Sequence, residues 1–380
     1  MGRTPINMKK AFLIHYDGYF DIRLKYVEQS LQERGFKVTL IFSDFDHYTK
    51  SSKEYPNSNV HKIHVPAYKK NISIKRIISY LSFTRQVRKL LNKEKPEFVY
   101  AIIPPNSLAK SLSSFKKCHP ETKIIFDIFD LYPEQMPILS NTPVAKIWAN
   151  LRNQSLKTVD FVILECYFYQ KQLENFLNDD KNEVLYLNRS EILLSTNNVW
   201  QDKQIDIAYL GSINWHIDIE HILTFLKTLN QKKKVVLHII GDGERAKTLQ
   251  EELTKEAISF VFYGKVFNPE KKRQILQKCQ YGLNVYRANL GIGLTMKSVE
   301  YLQYSLPLIN AGIADTKQLI EEFHIGHDID NSLEKTVDKI VSVTKEDMIL
   351  MRTQCGFVFK EKFSDESYLK KLNTILDNLR

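Results

Sequence analysis

The chain has 380 residues and a formal net charge of +10, with 43% hydrophobic and 26% charged residues and only 13 Gly and 12 Pro. That length accommodates two domains with cores of ordinary size, and the composition excludes a collagen-like, disordered or disulfide-scaffold protein. No apolar run approaches the ~20 residues that a membrane-spanning helix needs. The opening MGRTPINMKKAFLIHYDG lacks the long apolar stretch of a secretory signal, and Met1–Asn7 reads as a remnant either of cloning or of an upstream start. Cys118, Cys166, Cys279 and Cys355 lie far apart and offer no metal-ligand pair; scattered thiols of this kind fit a reducing, cytoplasmic setting.

Short apolar strands alternate with amphipathic helices, which predicts α/β domains with parallel sheets. In the first half, strands are expected at Ala11–His15, Lys37–Phe42, Phe98–Ile103, Lys123–Phe129, Asp160–Leu164 and Val184–Leu187. Helices are expected at Ile22–Arg34, ending at Gly35, and near Ile74–Leu91. The polar, aperiodic run Asn188–Gln204 is the expected linker. The cycle restarts with strands at Ile205–Leu210, Val235–Ile240, Phe260–Tyr263, Tyr281–Val285 and Leu308–Asn310. Helices at Ile217–Leu229, Arg245–Lys255, Pro269–Lys278 and Met296–Tyr304 separate them. The reading is of two Rossmann-like doubly wound domains facing each other across a cleft, over residues 1–190 and 200–360. A C-terminal helix at about 365–380 packs back on the first domain. Ligands in such sheets bind outside the carboxyl ends of the strands.

Charge is uneven. Residues 1–200 carry 29 Lys+Arg against 20 Asp+Glu, and residues 201–380 carry 25 against 24. Tyr55–Lys93 contains nine Lys and Arg and no acidic residue. This stretch reads either as a solvated face or as a surface for an anionic partner such as a membrane leaflet or a phosphorylated substrate. Ile74, Ile77, Ile78, Leu81, Val87, Leu90 and Leu91 fall near helical spacing among the cations, as in an amphipathic basic helix. Nucleic acid is not expected as a partner, because no zinc-finger spacing, RRM signature or basic zipper is present.

The most informative stretch is Tyr281–Gly312. A strand ends at Val285, and a loop with Gly291 and Gly293 leads into a helix beginning near Thr295. Such a loop aims backbone N–H groups and the positive end of a helix dipole at one point. Lys297 adds a full positive charge where the dipole disfavours it, and Glu300 lies three residues on. A lysine for phosphate and a carboxylate for paired hydroxyls suit a nucleotide diphosphate and its ribose. The competing reading is an ordinary surface i,i+3 ion pair.

The run Lys297-Ser298-Val299-Glu300-Tyr301-Leu302, with Ser305-Leu306-Pro307-Leu308-Ile309 behind it, resembles the K-x-x-E-Y-L-x-x-G-x-P-V-I segment of nucleotide-sugar glycosyltransferases with the GT-B fold, family 4 in particular. Tyr209-Leu210-Gly211-Ser212, followed by Trp215 and Asp218, is similar to the opening of that family's C-terminal domain. Ile239–Glu244 resembles its I-G-x-G turn, Tyr263-Gly264-Lys265-Val266 its x-G-x-V turn, and Phe126–Glu134 its Y-D-x-x-D-x-W-P-E stretch. The chain departs from the pattern where Ile292 replaces an acidic residue, where Ser-Ile-Asn follows Gly211 without the usual Arg and Lys, and where Ser305 replaces a common glycine.

The resemblance implies transfer of a sugar, hexosyl in type, from a nucleotide donor of the UDP-sugar kind to a hydroxyl acceptor, with no metal and no further cofactor. Glu300 would accept the ribose hydroxyls. Lys297 and the Thr295 backbone would hold the diphosphate, with Arg287, Tyr286 and the Gly211-Ser212 loop. Lys265 and Val266 would meet the base, and Gly18 would let the chain approach the donor closely. Preorganised donors at the leaving diphosphate are the main catalytic device of such a site. Asp130 is the first candidate for a general base and Asp17 the second; for Asp130 the alternative is a loop-ordering carboxylate, and for His15 a packed strand-end histidine. Asp44-Phe45-Asp46 is formally a D-x-D and reads as a loop. Gly241-Asp242-Gly243 is not a dinucleotide fingerprint, because Arg245 and Ala246 follow it. The resemblance fits a glycan or glycoprotein acceptor of surface polysaccharide assembly; the basic first half, by its charge alone, points to a lipid-linked glycan reached at the inner face of the plasma membrane. Two rivals share the fold: a non-catalytic partner subunit and an epimerase.

Overall fold

The computed structural model describes residues 8–18, 21–56, 59–136, 142–192, 200, 202–329 and 332–379. Two compact units make up the chain: Met1–Tyr186 with Leu369–Arg380, and Leu187–Tyr368. Part of the expected linker, 193–199 and 201, lies outside the described residues.

The first unit is built on seven strands: β1 Lys9–His15, β2 Phe36–Ser43, β3 Val60–Ile63, β4 Phe98–Ile103, β5 Lys123–Ile128, β6 Phe161–Leu164 and β7 Asn182–Val184. All pair in parallel, in the order β3-β2-β1-β4-β5-β6-β7. β4 is buried along its whole length, as a central parallel strand covered on both faces must be. The order reverses between β1 and β4, so the loops at Tyr16–Gly18 and after Ile103 leave the sheet at its switch point. β3 and the helices Asn106–Cys118 and Pro143–Asn153 go beyond the sequence expectation. The expected strand Val184–Leu187 instead ends at Val184, and the Leu185 carbonyl accepts from the buried Arg23 rather than extending a ladder. The C-terminal segment is tied to this unit by Arg34, whose guanidinium donates to Asn373 Oδ1 and Asp377 Oδ1, both at 2.9 Å.

The basic helix spans Ile74–Glu94, and its orientation differs from the apolar spacing. Its buried face is Arg76, Ser79, Tyr80, Phe83, Thr84, Val87 and Leu91. Ile74, Ile78 and Leu81 are exposed. Tyr80 and Phe83 pack edge-on against Tyr16, and these aromatics outweigh the isoleucines for the core position because they remove more apolar area from water.

The second unit has six parallel strands: β8 Gln204–Leu210, β9 Lys234–Ile240, β10 Ser259–Gly264, β11 Tyr281–Val285, β12 Leu308–Ala311 and β13 Gly326–Asp328. Their order, β10-β9-β8-β11-β12-β13, is that of a nucleotide-binding sheet whose switch point falls between β8 and β11. Two glycines set the approach of elements there. A Cβ on Gly282 would sit 2.5 Å from the Tyr301 ring, so its absence lets the helix Met296–Gln303 lie down on β11. A Cβ on Gly241, at φ +152°, would sit 1.9 Å from the Gly211 carbonyl oxygen, so the turns after β8 and β9 touch backbone to backbone. Tyr301 locks the arrangement: its hydroxyl accepts from the Leu210 N–H at 2.8 Å and lies 3.1 Å from the Ala208 and Leu283 carbonyls.

Candidate functional site

A pocket of about 580 Å³ opens at the carboxyl ends of β8, β9 and β10. Its wall holds Gly211, Ser212, Lys265, Val266, Lys272 and Glu300, with the turn Gly241–Gly243 below them. Four of the donor-site residues expected from sequence, besides Glu300, therefore meet on one surface. Phe267 also lines it and is 86% exposed.

The helix carrying Lys297 and Glu300 starts where Thr295 caps it, its hydroxyl accepting from the Ser298 N–H at 3.2 Å. A buried network fixes that end. Asn284 Nδ2 donates to Ser298 Oγ at 2.8 Å, Thr295 Oγ1 donates to Asn284 Oδ1 at 3.2 Å, and Ser298 and Thr316 share a 2.8 Å hydroxyl bond. A satisfied network of this kind rigidifies the element it supports.

Lys297 is buried. Its ammonium donates to Tyr209 Oη at 3.0 Å and stands 4.1 Å from the Tyr209 ring centre and 4.9 Å from that of Tyr286. Among the described residues it has no carboxylate partner, so Glu300 and Lys297 do not form the surface pair that was the competing reading. Burial lowers its pKa to about 7. A Cβ on Gly211 would come within 3.0 Å of the lysine's Cε, so the lysine stem runs directly beneath the Gly211 turn.

Glu300 is held from both sides, by Lys272 Nζ at 2.7 Å and Arg189 Nη2 at 3.0 Å. Sequence reasoning missed both cations. For Lys272 a signal was present: Lys271-Lys272-Arg273 follow Pro269-Glu270 near the start of a helix, where cations oppose the dipole. Arg189 had no such signal, since it is 111 residues from its partner.

The remaining expected residues are placed differently. Tyr286 reaches the site through its ring. The Thr295 side chain serves as a helix cap, and Arg287 is an exposed residue whose N–H donates to the His216 carbonyl. Gly18, Asp17 and Asp130 belong to the first unit. Gly18, at φ +57°, is accounted for there, since a Cβ would meet Tyr55 Oη at 2.7 Å. Asp17 and Asp130 leave the ends of β1 and β5, and burial raises each carboxyl to about 6 against the opposing pull of the Arg76 guanidinium. Asp17 Oδ1 is buried with no hydrogen-bond partner among the described residues. Asp127, three residues before Asp130, lies in the core, paired with Arg23 Nη1 at 2.9 Å and accepting from Tyr100 Oη at 2.6 Å. Burial drives His15 down to about 3, the condition of a packed neutral imidazole. In the D-x-D, Asp46 accepts from the Tyr48 and Thr49 N–H groups and orders a turn. Among the described residues no helix is long and apolar enough to cross a membrane.

Comparison with known proteins agrees with this geometry. The family described as "Glycosyl transferases group 1" matches residues 204–345, and that described as "Glycosyl transferase 4-like" matches residues 11–151. No curated protein matches the chain in sequence. Among solved structures, the lipopolysaccharide outer core galactosyltransferase WaaB superposes with a TM-score of 0.70 at 14% identity, over 98% of this chain and 99% of that one. Anabaena HepE, solved with UDP and glucose, gives 0.64 at 12%, over 97% and 100%. A mutant form of S. aureus TarM, solved with fondaparinux, an α-GlcNAc-glycerol and UDP, gives 0.63 at 10%, over 98% and 99%. At such identities the structural likeness is one of fold: two Rossmann-like units of the GT-B class. Together with the two family matches, which span well over half of the sequence, it places the protein among the family 4-like GT-B glycosyltransferases.

Proposed function

We propose that this glycosyltransferase takes its sugar from a UDP-linked donor seated in the second unit and transfers it to a hydroxyl of a glycan, lipid-linked glycan or glycoprotein. The observation that carries the reading is Lys297: a buried cation with no carboxylate partner among the described residues, under the Gly211-Ser212 turn, one helical turn from a carboxylate in the pocket wall. Burying a charge without a counter-ion is costly, and a diphosphate would supply the counter-ion. Lys272 supplies a second cation from the same wall, which offsets the missing Arg and Lys after Gly211. Glu300 would accept the ribose hydroxyls, and Lys265, Val266 and Phe267 would border the base.

As the bond from the anomeric carbon to the diphosphate oxygen breaks, negative charge grows on the leaving group. Lys297 and Lys272 stabilise it in place of a metal ion, and an aspartate of the first unit, Asp130 before Asp17, would take the acceptor proton. The exposed Ile74, Ile78 and Leu81 among Lys75, Arg85 and Lys89 favour attraction to an anionic leaflet, and hence work at the inner membrane face in polysaccharide assembly. UDP release from a panel of UDP-sugars, with and without chelator, tests the reading. Failure of every donor to release UDP with any acceptor extract would leave only the partner-subunit rival, and donor conversion without transfer would favour the epimerase.

A further inference from the structure

The Glu300 carboxylate carries a cation on each of its oxygens. Lys272 Nζ donates to Oε1 at 2.7 Å and Arg189 Nη2 donates to Oε2 at 3.0 Å. An ionised carboxylate offers about four lone-pair sites, so one bond to each oxygen leaves an acceptor site on each. Two such sites side by side match two vicinal hydroxyls. The last torsion of a glutamate is broad by itself, and bonds to both oxygens from two separate elements fix the carboxylate plane.

The two cations are not equivalent. Lys272 lines the donor pocket beside Glu300, whereas Arg189 is not among the residues of its wall. Arg189 stands three residues into the second unit, on the segment by which the chain enters it. Its N–H donates to the Phe363 carbonyl at 2.8 Å, and it pairs in parallel with Ser364. On either side of it, Asn188 Nδ2 donates to Asp365 Oδ1 and Ser190 Oγ donates to Asp365 Oδ2. The Ser190 carbonyl accepts from Gln303 Nε2 at 2.7 Å, and Gln303 lies on the same helix as Glu300. The arginine therefore rises from a backbone tied both to the segment by which the chain leaves the unit and to the helix it serves. The Arg189 side chain is 25% exposed and that of Glu300 11%, so solvent screens the pair only in part. A planar guanidinium on a fixed base holds its partner's orientation better than a mobile ammonium does.

We infer that Arg189 is a positioning residue for the donor: from behind the pocket wall it sets the Glu300 carboxylate so that one lone pair of each oxygen meets the ribose 2′- and 3′-hydroxyls. This rests on the UDP-donor reading and deepens it, because Arg189 then sets the preference for a ribonucleotide over one that lacks those hydroxyls. Arg189 touches neither the nucleotide nor the sugar.

Titration calorimetry of the full chain with UDP and with 2′,3′-dideoxy-UDP tests this. Wild type should prefer UDP at least about tenfold, since a site built to bond hydroxyls rejects the analogue without them. In Arg189→Gln that preference should fall below about threefold, with UDP weakened and dideoxy-UDP bound nearly as before. Arg189→Lys, which keeps the cation and loses the planar fork, should be intermediate, and it carries the same comparison if Arg189→Gln does not fold. Arg189→Gln added to Glu300→Gln should cause no further loss of preference. Equal weakening of both nucleotides in Arg189→Gln would make the arginine a strut of the entry segment and overturn the inference. An unchanged preference in that variant, or equal binding of the two nucleotides by wild type, would overturn it as well. Failure of the UDP-donor reading shows separately, as wild-type protein that binds neither nucleotide, and the inference would fall with it.

Discussion

The Lys297 ammonium donates to the Tyr209 hydroxyl at 3.0 Å, and that hydroxyl donates onward to the Ser212 carbonyl at 2.8 Å. The charge is thus wired to the turn that closes over it, and a change at either end should be felt by a bound diphosphate.

Lys297→Ala and Glu300→Ala should each weaken UDP binding by about 1–3 kcal/mol, the range for charge-assisted hydrogen bonds. Lys272→Ala should fall in the same range, with a further loss in turnover if it also stabilises the leaving group. Calorimetry with UDP reads the first effect and initial rates read the second. Wild-type affinity in the Lys297 and Glu300 variants would remove the donor site.

Nucleotide affinity should depend on pH through Lys297. In the empty site, burial holds its pKa at about 7, and a bound diphosphate favours the charged form. Binding above that pH must therefore take up a proton, and affinity should fall as pH rises from about 7 toward the ordinary lysine value. Calorimetry in buffers of different ionisation enthalpy measures the uptake, and Lys297→Met should abolish it.

The general base should reveal itself on the acid limb of the rate profile. Asp130 and Asp17 each lie at about 6, and a base must be deprotonated, so kcat/KM should decline as pH falls through 6. Replacing the working aspartate by Asn should cost roughly 10²–10⁴-fold and erase that limb. The same change at the other aspartate should leave the limb in place.

Ser305 occupies the left-handed region at φ +50°, the conformation for which a glycine is common at this point of the motif. A left-handed backbone disfavours any residue with a Cβ by roughly 1–2 kcal/mol, partly offset by the extra freedom glycine gains when unfolded. Ser305→Gly should therefore stabilise the second unit by up to about 1 kcal/mol, read as a higher denaturant midpoint with UDP binding unchanged.

The sequence by itself determined the strand–helix alternation, the helix start at Thr295 and the placement of Lys297 and Glu300 one turn apart. These are local properties: continuous apolar runs, glycine and proline punctuation, and the helical period. Tertiary structure decided what those side chains meet. Glu300 pairs with Lys272 and Arg189, 28 and 111 residues away. Asp127, a neighbour of Asp130 in sequence, is consumed by Arg23 in the core. The basic helix turned Tyr80 and Phe83 inward and left Ile74 and Ile78 outside, because a periodic pattern offers more than one apolar face and the partner surface selects among them. Whether a charge is paired or stands ready for a ligand follows from that selection, and no local pattern carries it.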